Sequence, residues 1–318
     1  MFLKREINFL EKIRYSWSYR NSISAYKKML PLKNDELFLL EKLKKEGCLV
    51  IENFVEPDTL KKMSVEFQKN LESLGFKTPC LGQSLISVEG HADLIENNFY
   101  ASDKELQRRG LMFSRDDVNS LEDAIDKFNP STLTANMLDK STLYQSIWLD
   151  EKILRIVAGY MGLVPTLAEA YVRRTFPSQY KVMNHFWHRD LNHKHYLLKV
   201  FIFLSDCDVD NGPHEYISGT HNNFNHLNGK RYFSDSEVND IYPENSEKRM
   251  VSKVKAGTVI IEDTRGLHRA QMPVTRYRDL GFAIFTPEVS GAYFNIKEED
   301  YCNLTSFQKL FVSKLTVI

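Results

Sequence analysis

His188 and Asp190 stand two residues apart in WHRD, and a third candidate, His268, follows a strand-like run and a turn in GTVIIEDTRGLHRA. In an extended strand, side chains at i and i+2 share a face, so His188 and Asp190 can aim at one point. Two histidines and one carboxylate on one face of an octahedron leave three coordination positions open. That donor set suits non-haem Fe(II), because a co-substrate and dioxygen can both reach the metal. Ten residues after His268, Arg278 opens the run RDLGFAIFT. A guanidinium offers paired donors that match a carboxylate, so Arg278 can hold the far end of a dicarboxylic acid chelating the metal. His188, Asp190, His268 and Arg278 are chemically complete for a site using Fe(II), 2-oxoglutarate and O2.

Other histidines compete for the same role. His91 and Asp93 repeat the H-x-D spacing, but HADLIENNFY has a helical or looped pattern, in which i and i+2 diverge. His193 and His195 lie beside WHRD with no carboxylate between them, which suits substrate contact or solvation better than ligation. His221 in ISGTHNN follows a glycine turn and is expected to tie down a loop. An H-x-D on its own is common, so spacing alone leaves a purely structural role for His188 and Asp190 open.

These residues need a frame of strands. LLKVFIFLSD, GTVIIED and DLGFAIFTP are short β-rich runs, and TLAEAYVRRTF precedes them, all separated by Gly, Pro, Asn and Asp turns. The first half reads differently. NDELFLLEKLKKEG is a helix capped by Asn34 or Asp35 and stopped at Gly47, and CLVIENFV is a short strand. EPDTLKKMSVEFQKNLESLG restarts a helix with Pro57 near its first position and Gly75 at its end. Residues 103–140 read as polar surface loop with short helices, and STLYQSIWLDEKILRIVAGYMG as one helix ending at Gly162. Residues 1–30 carry apolar residues at loosely helical spacing among basic ones, a helix expected to pack on the body or on a partner.

Helices first and strands later, without βαβ alternation, predicts a mainly β fold with N-terminal and flanking α-helices. Its core is expected to be a jelly roll, that is, a cupin-like double-stranded β-helix. We divide the chain into an N-terminal helical extension (1–34), one β-helix domain (35–290) and a C-terminal tail packing on it (291–318). Lys and Arg total 42, as do Asp and Glu, so no net field draws the protein to nucleic acid. No apolar run approaches the roughly 20 residues of a membrane span, and no signal peptide is apparent. Cys48, Cys80, Cys207 and Cys302 are scattered and fit reduced, buried thiols in a cytoplasmic protein.

The ordered series of motifs resembles the phytanoyl-CoA dioxygenase family of Fe(II)/2-oxoglutarate oxygenases. GCLVIENFVEPDTLKKM is similar to that family's opening strand and helix, and WHRD to its metal-binding strand. VFIFLSDCDVDNGPHEYISGTH, AGTVIIEDTRGLHRA and RYRDLGFAIFT resemble the segments that follow, so the similarity runs from about residue 35 to 290. The resemblance implies that His188, Asp190 and His268 bind iron. It implies that Arg278, with Arg276 as competitor, holds the distal carboxylate of 2-oxoglutarate, and that Thr175 touches the co-substrate. Ser218 and Ala270 depart from the family pattern without affecting the metal. Related halogenases have a small residue where Asp190 stands, so hydroxylation is the expected chemistry.

The expected activity is hydroxylation of a small organic metabolite with release of succinate and CO2. One alternative is a jelly-roll binding protein with a structural or inactive metal site. Another is a metal-dependent isomerase or hydrolase, which needs neither Arg278 nor oxygen. Arg173, Arg174, Arg189, Lys194 and Lys199 flank the site, and about half should point inward by alternation, which would suit an anionic substrate.

Overall fold

A computed structural model describes residues 18–29, 31–75, 85–86, 118–128, 130–177, 183–190, 197–222, 231–287 and 294–318. Its helices are α1 (Arg20–Lys27), α2 (Asn34–Glu46), α3 (Pro57–Glu72), α4 (Leu121–Phe128), α5 (Thr142–Trp148), α6 (Glu151–Met161), α7 (Asp235–Asn239) and α8 (Glu298–Asn303). The strands are β1 (Cys48–Ile51), β2 (Leu85–Ile86), β3 (Pro130–Ala135), β4 (Thr166–Thr175), β5 (Trp187–His188) and β6 (Leu198–Phe203). They continue as β7 (His214–Ile217), β8 (Tyr232–Phe233), β9 (Arg249–Val251), β10 (Val259–Asp263), β11 (His268–Ala270) and β12 (Arg278–Thr286).

The strands form two sheets, ordered β1-β10-β6-β12-β4-β3-β2 and β8-β5-β11-β7-β9, with antiparallel pairing throughout. Side-chain alternation decides what each face of the larger sheet meets. Leu198, Val200 and Ile202 of β6 join Val259, Ile261, Ala283 and Phe285 in a core shared with Phe67, Trp148 and Ile153 of the helices. The residues between them, Phe201 and Phe203 with Ile260, Leu280, Phe282 and Ile284, turn the other way and cluster with Tyr216 of the smaller sheet. This is the expected jelly roll: one sheet face covered by helices, the other enclosing a space against the second sheet.

Local chemistry places the helices. In α2, Glu36 is 1% exposed and accepts the Arg155 guanidinium at 2.8 Å, which ties α2 to α6. Gly47 ends α2 with φ +80, and a Cβ there would fall 2.2 Å from Tyr216 Oη and 2.3 Å from His221 Nδ1. Only glycine permits both that turn and that approach. His221 Nε2 meets Lys44 O at 3.0 Å, so it ties its loop to the end of α2. In the tail, Phe294, Ile296, Phe311 and Val312 join the main core, and Ile296 bridges Val317.

Several expectations need correction. Residues 130–135, expected as surface loop, form β3, buried along its whole length and paired with β4. The long helix after Ser141 is two, α5 and α6, because Asp150 caps a new start by accepting from Lys152 N and Ile153 N at 2.9 and 3.1 Å. The α2 cap is Lys33, one residue earlier than expected, and α3 ends at Glu72 before Leu74 at φ +61, short of Gly75. Cys48 and Cys207 are buried, but Cys302 is exposed. His91, Asp93, His193, Lys194, His195, Cys80 and residues 1–17 lie outside the described residues.

Candidate metal centre

β5 contributes Trp187 and His188 and then stops, so Asp190 stands just past the strand end, its N–H bonded to Thr264 O at 2.9 Å. β11 begins at His268, which is the direct cross-strand partner of His188. Pairing two histidines at facing positions brings their rings to 4.1 Å between centroids. One donor atom from each of His188, Asp190 and His268 lies within 4.8 Å of the others, the three-residue cluster of this kind among the described residues. Asp190 Oδ2 stands 3.9 Å from His268 Nε2.

The backbone orients both rings. His188 Nδ1 lies 2.8 Å from Phe186 O, and His268 Nδ1 lies 3.0 Å from Gly266 O. With Nδ1–H donating to a carbonyl, Nε2 is left as a lone-pair donor, the tautomer a metal requires. Burial lowers the His188 pKa to about 4. Burial and the neighbouring His188 hold His268 well below the usual histidine range. Both are therefore neutral near pH 7, ready to ligate without losing a proton. Burial opposes the charge of Asp190, but the Lys199 ammonium beside it outweighs burial and keeps the carboxylate ionised.

Lys199 comes from the opposite sheet, with Nζ 2.6 Å from Asp190 Oδ2. His214 and Glu262 form a second link between the sheets at 2.7 Å. Glu262 is fully buried and its pKa is pushed up by burial, while Oε1 has no hydrogen-bond partner. The sequence reading did not single out His214, Glu262 or Glu169. Strand period was the available signal, because Glu262 is two residues beyond inward-facing Ile260, and Lys199 two before inward-facing Phe201.

Arg278 and Arg276 are placed very differently. Arg278 heads β12 on the face of Leu280, Phe282 and Ile284, is 2% exposed, and leaves Nε and Nη1 without hydrogen-bond partners. Burial lowers its pKa to about 10. Arg276 lies in the preceding turn, exposed, with ion pairs to Asp208 at 2.7 Å and Asp210 at 3.3 Å. Thr175 is the direct cross-strand partner of Arg278 and is 1% exposed.

The other basic residues divide as alternation requires. Arg173 and Lys199 face the space between the sheets. Arg174 turns to the helix side, paired with Asp279 at 2.7 Å and stacked on Tyr277. Arg189 is buried and donates to Thr220 O and Arg265 O.

A cation fits the cluster on the chemistry of its donors: two neutral imidazole nitrogens, one ionised carboxylate oxygen, and backbone carbonyls fixing both rings. A dicarboxylate fits the unpartnered nitrogens of Arg278. No helix among the described residues is long and apolar enough to cross a membrane.

Comparison with known proteins agrees in family. The model of the phytanoyl-CoA dioxygenase family matches residues 43–275, well over half of the chain. A sequence search of curated proteins returns no match. Among solved structures, HygX from Streptomyces hygroscopicus with nickel, 2-oxoglutarate and hygromycin B bound is 14% identical, with TM-score 0.47, covering 84% of this chain and 92% of its own. The alpha ketoglutarate dependent epimerase SnoN from nogalamycin biosynthesis is 11% identical, with TM-score 0.48 and coverages of 79% and 80%. EctD from S. alaskensis with 2-oxoglutarate and 5-hydroxyectoine is 14% identical, with TM-score 0.47 and coverages of 81% and 77%. The chain belongs to the phytanoyl-CoA dioxygenase family, whose members are oxygenases that work with Fe(II), 2-oxoglutarate and O2.

Proposed function

We propose that the protein hydroxylates a small organic substrate, converting C–H to C–OH as 2-oxoglutarate and O2 become succinate and CO2. One observation carries the co-substrate half of this reading. Arg278 is a buried guanidinium with two unpartnered nitrogens, and no carboxylate among the described residues pairs with it. A buried unpaired charge is costly, and a dicarboxylate bound at the neighbouring cluster would meet that need.

Iron at this site, with 2-oxoglutarate and dioxygen, would supply the oxidant that attacks an unactivated C–H. The residues of the chain do the rest. His188 Nε2, His268 Nε2 and one Asp190 oxygen would hold the metal on one face and leave the other open. Arg278, with Thr175 beside it, would fix the distal carboxylate and so the orientation of the chelating end. As a ligand, Asp190 would take the place a halide would need, which favours hydroxylation over halogenation. Phe201, Phe282 and Ile284, which cluster on the inner face of the larger sheet, would offer the reacting centre an apolar wall.

The test is a mass comparison of a metabolite extract incubated with iron-loaded protein and 2-oxoglutarate under 18O2. The expected product is a substrate heavier by one labelled oxygen, with the second labelled oxygen in succinate. A product of unchanged mass, or a chlorinated one, would overturn hydroxylation.

A further inference from the structure

The inner face of β4 presents Glu169, Tyr171, Arg173 and Thr175 in alternation, and the charges around them can be matched one by one. Lys199 stands on Asp190 at 2.6 Å, and His214 on Glu262 at 2.7 Å. Glu169 is attracted to Lys199 first and to Arg173 less, and burial pushes its pKa up. Arg278, on the reading above, meets the distal carboxylate of 2-oxoglutarate. Arg173 remains.

Its guanidinium is held firmly but not neutralised. The carbon at its centre lies 5.5 Å from the Tyr171 ring centroid and 5.3 Å from that of Phe282. Nη2 donates to Tyr171 Oη at 3.2 Å, while Nε is buried without a hydrogen-bond partner. No carboxylate among the described residues forms an ion pair with it. Two rings and a hydroxyl therefore fix a cation that no carboxylate among the described residues contacts directly, so an arriving anion finds its partner already ordered.

Position separates this group from the co-substrate arginine. Arg278 faces Thr175 across the β4–β12 pair, whereas Arg173 faces Leu280, one inward position further along. A single distal carboxylate is satisfied by the paired donors of one guanidinium. A second guanidinium beside it has spare capacity for another oxyanion.

We propose that Arg173 forms an oxyanion subsite for the substrate, which is therefore a small molecule bearing a carboxylate, sulfate or phosphate group. This rests on the hydroxylase reading for the identity of the substrate, but the subsite itself can be measured without turnover. Arg173 then acts as a specificity-determining residue, setting where along the barrel the anionic end sits relative to the metal.

The experiment is calorimetric titration of Ni(II)-loaded protein, which does not turn over. Sulfate is titrated with 2-oxoglutarate saturating, and 2-oxoglutarate is titrated separately. Arg173→Gln should weaken sulfate at least tenfold, the loss of a charge-assisted hydrogen bond, and shift 2-oxoglutarate less than threefold. Tyr171→Phe keeps the ring but removes the orienting hydroxyl and should weaken sulfate several-fold, which preserves the test should Arg173→Gln fold poorly. Unchanged sulfate binding in these variants overturns the subsite. A tenfold loss of 2-oxoglutarate with sulfate unaffected assigns Arg173 to the co-substrate and likewise overturns it. Parent protein that ignores 2-oxoglutarate but binds sulfate through Arg173 would sink the hydroxylase reading and leave the subsite standing.

Discussion

Replacing Arg278 by lysine keeps the positive charge at the head of β12 but removes the planar fork. Nε and Nη1 are both buried and unpartnered, and each belongs to one of the two forks of the guanidinium, Nε with Nη2 or Nη1 with Nη2. A carboxylate can therefore take a paired contact there, whereas lysine retains one such contact at best. A hydrogen bond to a charged group is worth about 1.5–3 kcal/mol, so 2-oxoglutarate should bind roughly ten- to a hundredfold more weakly. Thermal melting of the Ni(II)-loaded protein reads this directly. At 2-oxoglutarate one hundred times the parent dissociation constant, the parent gains about 2.7 kcal/mol, and a variant weakened a hundredfold gains about 0.4 kcal/mol. Metal affinity should not move, because Arg278 is no ligand. Arg276→Lys should behave as the parent, since Arg276 is exposed and engaged with Asp208 and Asp210. If Arg278→Lys keeps the full stabilisation and Arg276→Lys loses it, the register of the site is two residues wrong. If both keep it, 2-oxoglutarate does not sit here.

His188→Ala or His268→Ala should lower divalent-metal affinity at least a hundredfold in calorimetry without unfolding the protein, whereas a double alanine variant at His193 and His195 should bind metal normally; the reverse pattern would overturn the assignment. Lys199→Met should tighten metal binding about tenfold, because the Lys199 ammonium within 2.6 Å of Asp190 is a rival cation worth on the order of 1–2 kcal/mol net; weaker binding would instead make Lys199 a support for the carboxylate. The metal-free protein should lose stability as pH falls from 6.5 towards 4. Over that range an unfolded His188 takes up a proton that the folded state refuses, and the difference reaches about 3 kcal/mol for this one group. His188→Gln should flatten the slope of unfolding free energy against pH, and an unchanged slope would refute the cause.

The chemistry of the candidate site was legible because its residues obey local rules. His188 and Asp190 satisfy the two-residue spacing, and Arg278 announces itself by opening the run DLGFAIFT. The contacts that charge the site were not legible. Lys199 reaches Asp190 and His214 reaches Glu262 only across two sheets, and no spacing along the chain encodes that meeting. Strand alternation divides Arg173 from Arg174, but which faces inward follows from the register against Leu280 and Asp279. In the fold, β3 escaped notice because PSTLTA has no apolar alternation, and its threonines are buried by pairing with β4. The break between α5 and α6 was written at Asp150, a helix cap masked by the apolar pattern on both sides.

The most direct test of the central claim is succinate release measured with Fe(II), 2-oxoglutarate and O2 each present or withheld. Succinate should form only when all three are supplied, and should vanish in His268→Ala while that variant keeps the parent's fold. Metal-loaded parent protein that binds 2-oxoglutarate yet forms no succinate under oxygen, with or without a metabolite extract, would contradict an oxygenase and leave a binding protein.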